Sequence, residues 1–172
     1  MKSKLIIIAA ILFITNNVFS QEKIEKRESV RFNHSLGFGA GISTGYGMSY
    51  RYFGKKLGAQ VNFSPYKDEN KVNISSGLTF LYRIVELEEW SFYVYQGNHF
   101  YYDKDTSTDY NYMNDESVTQ TIETKYVNNG VGLGAEYATT ERLSFNGMLG
   151  YGGQENFEKI SITVEVAVYF KF

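Results

Sequence analysis

His34 and His99 are the only imidazoles in this 172-residue sequence, so histidine-based acid–base or nucleophilic chemistry has two possible centres. His99 stands close in sequence to Tyr101, Tyr102 and Asp103. It is the one place where a serine, a histidine and a carboxylate could be assembled for acyl transfer. No motif marks such a set, and a histidine lining an interior or an interface is the simpler reading; His34 reads as interfacial. Asp103, Asp105, Ser107 and Asp109 place oxygen ligands at alternate positions, as at the start of a calcium loop. Position six is Thr108 where a glycine is required, however, and position twelve is Asn114 where a bidentate glutamate is required. An acidic solvated loop is therefore favoured over a cation site. Cysteine is absent, which excludes thiolate nucleophiles, thiolate metal sites and disulfides. The remaining candidates are charges isolated among small polar residues: Arg51, Arg83, Glu136, Glu165 and Lys171. These could line an ion path or pair across a filled interior, and in a narrow lumen pairing is favoured because unpaired buried charges are costly. No residue is assigned to catalysis, and none to a metal or a cofactor.

Such charges need walls to position them, and the walls are strands. From Ile160 to Phe172 the alternation never breaks: Ile160, Ile162, Val164, Val166, Val168, Phe170 and Phe172 share one face. Ser161, Thr163, Glu165, Ala167, Tyr169 and Lys171 share the other. Upstream, Leu36, Phe38, Ala40 and Ile42 alternate with Ser35, Gly37, Gly39 and Gly41. Tyr46, Met48, Tyr50 and Tyr52 alternate with Gly47, Ser49 and Arg51. The same period recurs over 57–64, 72–84, 127–137 and 143–150. The segment 90–102 is a strand whose facing is undecided, since Phe92 with Val94 and Tyr93 with Tyr95 compete for the apolar side. Eight strands are predicted. The runs Gly37/Gly39/Gly41 and Gly130/Gly132/Gly134 sit at period two and open no helix, which makes them inward-facing glycines and not nucleotide loops.

Residues 1–20 read as a secretory signal: Lys2 and Lys4 precede an apolar run from Leu5 to Ile14, and Val18 with Ser20 offers a cleavage pattern. Residues 21–31 form a charged tail, and 32–172 a single domain. Removing the two lysines of the signal from 17 Lys and Arg leaves 15 against 19 Asp and Glu, a net charge of −4. That balance gives no basic footprint for nucleic acid.

Two regularities favour a transmembrane over a soluble barrel. The face opposite the apolar one carries mainly Gly, Ser, Asn and Thr, which suits the cramped lumen of eight strands better than a water-facing wall. The connections also alternate: 54–56, 85–89 and 138–141 are short, while 65–71, 103–120 and 152–159 are predicted to be longer loops. The first connection, 43–45, is short and departs from that rule. With the N-terminus in the periplasm, this is the short-turn, long-loop layout of outer-membrane barrels.

On the signal, the Gly-rich first hairpin G-F-G-A-G-I and the terminal V-A-V-Y-F-K-F, the chain from Phe32 to Phe172 resembles the small eight-stranded outer-membrane β-barrels of OmpA/OmpX type. The resemblance implies an all-β, antiparallel up-and-down transmembrane barrel in the cell outer membrane. It also implies that Val168, Phe170 and Phe172 supply the carboxy-terminal signal read by the outer-membrane assembly machinery. The expected partners are outer-membrane lipid, that machinery and an extracellular ligand held by loop 103–120, with the protein a monomer. The leading reading is a structural or surface-interaction role without enzymatic activity. A lipid-modifying barrel enzyme, a small pore and a soluble periplasmic lipocalin-like binder stay open beside it.

Overall fold

The computed structural model of the protein describes residues 32–111 and 116–172, without the side chains of 108–111 and 116–118. The signal and tail predicted for 1–20 and 21–31 lie outside the described residues. Eight strands follow in chain order: β1 (His34–Gly41), β2 (Gly45–Phe53), β3 (Leu57–Lys67), β4 (Lys71–Glu86), β5 (Trp90–Asn111), β6 (Glu116–Ala138), β7 (Leu143–Gln154) and β8 (Lys159–Lys171). Each pairs antiparallel with its neighbours, and β1 closes the ring against β8, with Ser35 opposite Lys171 and Gly41 opposite Glu165. Closure leaves no sheet edge over the common height of the wall, so backbone donors and acceptors there are paired within the chain.

Period two decides which residues face out. On β8, Val164, Val166 and Val168 are 48%, 62% and 40% exposed, whereas Thr163, Glu165, Ala167 and Tyr169 are buried. The aliphatic faces of 36–42, 57–63 and 160–172 therefore point away from the interior, the reverse of a lipocalin-like binder. On β5, Phe92, Val94 and Phe100 point out, while Tyr93, Tyr95 and His99 point in. Gln96 and Asn98 also lie on the outer side, their amides hydrogen-bonded to each other. That polar pair outside, together with tyrosines inside, is what flattens the hydrophobic contrast of this strand.

The predicted long loops are not loops. Each described connection between strands has three or four residues, and the asymmetry lies in strand length instead. Residues 103–111 continue β5 and 116–120 begin β6. The segment 65–71 is mostly the end of β3 and the start of β4, with Pro65 opposite Ile74. Pro65 is tolerated because β2 stops pairing with β3 at Met48 opposite Phe63, leaving that side of β3 a free edge. Similarly, β4 supports β5 only as far as Asp105, and β7 supports β6 only from Asn129 onward. The β5–β6 hairpin therefore projects beyond the barrel as an arm. The residues after Asp105 add about 20 Å at the ordinary rise per strand residue. Beyond the ring neither β4 nor β7 flanks the arm to bury one of its faces, so its sequence carries no apolar period.

Candidate functional site

The lumen is filled on two levels. Nearer the chain termini, charged and amide side chains form one connected network. Arg51, on β2, is 1% exposed and donates through Nη1 to Glu136 Oε2 at 2.7 Å. Its Nε and Nη2 donate to Gln60 Oε1 at 3.1 and 2.8 Å, and Gln60 Nε2 donates in turn to Glu165 Oε1 at 3.0 Å. Lys171 Nζ meets the second oxygen of Glu136 at 2.6 Å. The guanidinium of Arg51 lies over the Tyr169 ring, 4.0 Å from its centroid, and 5.8 Å from that of Tyr93. Tyr169 is fixed by Ser49, hydroxyl to hydroxyl at 2.7 Å, and the Tyr93 hydroxyl contacts Asn146. These groups meet because β2, β3, β6 and β8 all point polar side chains inward here: Arg51 on β2, Gln60 on β3, Glu136 on β6, and Glu165 and Lys171 on β8. Two cations and two carboxylates share the interior, so it is neutral overall. Arg83 stands apart, paired with Glu86 at 2.9 Å and stacked 4.2 Å from the Phe53 ring centroid, close to the terminal end.

The second level, toward the far end, is filled by backbone. The β1–β2 turn, residues 42–44, folds into the barrel: Ser43 is 2% and Thr44 1% exposed. The Ile42 carbonyl accepts from Asn128 Nδ2 at 3.1 Å and lies 3.0 Å from His99 Nδ1. Asn62 Nδ2 donates to the carbonyls of Thr44 and Gly45 at 3.0 and 3.1 Å. No pattern in the sequence announced this, because a Ser-Thr turn between strands reads as solvated. The available sign was a set of inward glycines on three separate strands, Gly77, Gly97 and Gly130, all at the level of the turn.

His99 does meet a serine: Ser75 Oγ lies 2.9 Å from its Nε2. Its Nδ1, however, is engaged by the Ile42 carbonyl and not by a carboxylate. Ser75 is fully buried, and the His99 ring sits directly against Gly45, so no substrate reaches the pair in this conformation. His34 lies on the outside near the chain terminus, its Nδ1 2.6 Å from the Tyr50 hydroxyl and its ring stacked on Phe172 at 6.0 Å. Val168, Phe170 and Phe172 all point outward. The acidic segment 103–109 is strand, and no cluster of candidate metal ligands occurs among the described residues.

The arm carries its own small constellation. Lys125 Nζ binds Glu123 Oε1 at 2.6 Å and approaches the Tyr102 ring at 5.3 Å. Contact with Lys125, and then with Tyr102, holds the Glu123 carboxyl below its ordinary range, and the same contact raises the Lys125 ammonium. At the arm's base Tyr101 stacks on Tyr126, 4.7 Å between centroids. Asn73 links the Tyr46 and Tyr101 hydroxyls and Asp103, at 2.7, 2.7 and 3.0 Å.

The fold and its filled interior define the class: a closed, eight-stranded antiparallel barrel, apolar outside and polar within. Solved structures that it resembles include the N-terminal β-barrel domain of Pseudomonas aeruginosa OprF, at 22% identity and a TM-score of 0.45, covering 81% of this chain and 95% of that one. Neisserial surface protein A follows at 17% identity and 0.40, covering 81% and 94%. Ail, the attachment invasion locus protein of Yersinia pestis, stands at 14% and 0.40, covering 81% and 96%. No family model and no curated protein matches the chain.

Proposed function

We propose that the protein is a monomeric outer-membrane β-barrel with a structural and surface-interaction role, without enzymatic activity, which meets its extracellular partner through the β5–β6 arm. The observation that carries this reading is the inversion of the barrel. Leu, Val, Ile and Phe side chains cover the outside of the wall, while the charged side chains of the wall are paired inside. In water such a surface would be an aggregation hazard, whereas in lipid it is the required one. Trp90, stacked on Phe92 and Tyr137, together with Tyr50, Tyr52 and Tyr82, supplies an aromatic girdle near the terminal end. The terminal end then faces the periplasm and the arm faces outward. Val168, Phe170 and Phe172 are the residues offered to the outer-membrane assembly machinery during insertion.

The test is membrane fractionation followed by gel migration with and without heating. Recovery in outer membranes, as a band whose mobility shifts on boiling, is the expected result. A soluble periplasmic protein would overturn the membrane reading. For the arm, replacing 108–119 with a two-residue Asn-Gly turn, which keeps Ser107 opposite Gln120, should leave the heat-modifiable band intact and abolish the adhesion that the parent protein confers on expressing cells. Unchanged adhesion would remove the arm from the surface role.

A further inference from the structure

We propose that the β1–β2 turn is a tethered plug that docks into and leaves a receptor preformed in the far half of the lumen. Four features of this end of the barrel carry the inference.

The first is the space. At this level the lumen wall is made of Gly77, Gly97 and Gly130, from three different strands. A Cβ on Gly97 would stand 2.6 Å from the Ser43 carbonyl oxygen, one on Gly130 2.6 Å from Ser43 Cβ, and one on Gly77 would overlap the Thr44 carbonyl. The wall is thus hollowed to the shape of the turn, and when the turn is out these glycines leave open space between the Asn62, His99 and Asn128 side chains.

The second is the fastening. The turn is held by side-chain contacts to its backbone carbonyls, from Asn62, Asn128 and His99 on β3, β6 and β5. None of these is a ladder bond, and the one backbone bond of the turn, from Ile42 N–H to the Val164 carbonyl at 3.4 Å, lies past the last β1–β8 pair, so the turn can leave without unzipping the sheet.

The third is the hinge. Gly45 and Gly47 hold φ of +80° and +111°, conformations open to glycine, and Gly41 closes the other side of the turn. The turn is therefore flanked by residues able to absorb a large backbone change.

The fourth is incomplete docking. Thr44 Oγ1 and Glu165 Oε2 are buried without a hydrogen-bond partner, and both lie within 3.0 Å of where a Gly41 Cβ would be. Water reaching these two oxygens when the turn leaves relieves their desolvation, which lowers the cost of undocking. When the turn is out, water enters a blind vestibule whose floor is the Gln60–Glu165 contact. The network around Arg51 still closes the barrel below, so displacement opens a chamber and not a pore.

The absence of cysteine permits a direct test on the whole chain with Ser43→Cys, folded in detergent micelles and treated with N-ethylmaleimide. Glu69→Cys, exposed in the β3–β4 turn at the same end, gives the unhindered rate. Gel mobility gives the rate of global unfolding. Labelling of Ser43→Cys should be at least ~100-fold slower than the control yet faster than unfolding, the signature of a local opening. Adding Asn62→Ala with Asn128→Ala, or separately Gly97→Ala, should accelerate it about 10-fold or more by loosening or crowding the receptor. Labelling at the control rate would mean that the turn is never docked. Labelling only as the barrel unfolds would mean that it is a fixed part of the wall. Either result overturns the proposal.

Discussion

Replacing Arg51 with methionine tests whether the interior is sealed by charge pairing. Arg51 makes an ion pair with Glu136 at 2.7 Å, two hydrogen bonds to Gln60 and a stacking contact on Tyr169 at 4.0 Å. Removing one member of a buried pair costs about 3–5 kcal/mol, because the other is left charged and poorly solvated. Glu136 keeps Lys171 at 2.6 Å, which offsets part of that loss, while Gln60 Oε1 loses both of its donors, which adds about 1 kcal/mol. The expected cost of Arg51→Met is therefore about 3–4 kcal/mol. Adding Glu136→Leu removes the carboxylate that is left with one cation and frees Lys171, whose side chain is 22% exposed near the terminal rim, to turn to water, so the double variant should be milder than the single one, at ~2 kcal/mol or less. Urea unfolding from lipid vesicles, followed by the fluorescence of Trp90, the only tryptophan, measures both. A cost below about 1 kcal/mol for Arg51→Met, or a double variant equal to the sum of the singles, would refute the reasoning, since water would then be solvating the interior charges.

Three further outcomes follow from the same wall. Val166→Arg places a cation in the middle of the outward face of β8 and should cost about 2–4 kcal/mol in vesicles, against about 0–1 for Ile160→Arg near the far rim; equal costs would argue against a lipid-facing belt. Gly150→Val should fail to give a heat-modifiable band, because the new side chain collides with the Val131 carbonyl and crowds Gly132 opposite, whereas Gly147→Ala points into open space and should stay within about 0.5 kcal/mol of the parent. On the arm, the Glu123–Lys125 contact should persist above the lowered carboxylate value and be lost as pH falls through it. Lys125→Met should return Glu123 toward its ordinary range in an NMR titration, and an unmoved Glu123 would show that the pair does not form in solution.

The barrel was legible where each strand separates two environments. β8 and β1 each set a strictly apolar face against a polar one, and in the ring they pair with each other. β5 was not legible in this way, because Gln96 and Asn98 face outward while Tyr93 and Tyr95 face inward, equalising the two sides. The arm escaped for the opposite reason. With no wall beside it to bury a face it has no period to read, and its Asp, Thr, Ser and Asn residues suggested a loop although the backbones of 103–111 and 116–124 pair across nine registers. The inward turn escaped because burial of a Ser-Thr turn depends on donors and glycines from distant strands, which only the closed ring brings to one height.

The inward glycines acquire a more specific meaning from that last point. A narrow lumen asks for small residues in general, yet Gly132 and Gly150 oppose one another across a strand pair, whereas Gly77, Gly97 and Gly130 surround a piece of backbone. In the first case glycine permits close approach within the wall. In the second it vacates the volume that side chains fill on the Arg51 level. The barrel is therefore closed by two different materials. Near the terminal end the stoppers are charges, each held by others and none able to leave without stranding its partner. At the far end the stopper is a turn on glycine hinges, whose fastenings can be exchanged for water without breaking a strand pair. Only the second kind can open while the barrel stays folded, and it lies at the same end as the arm that the proposed orientation turns outward.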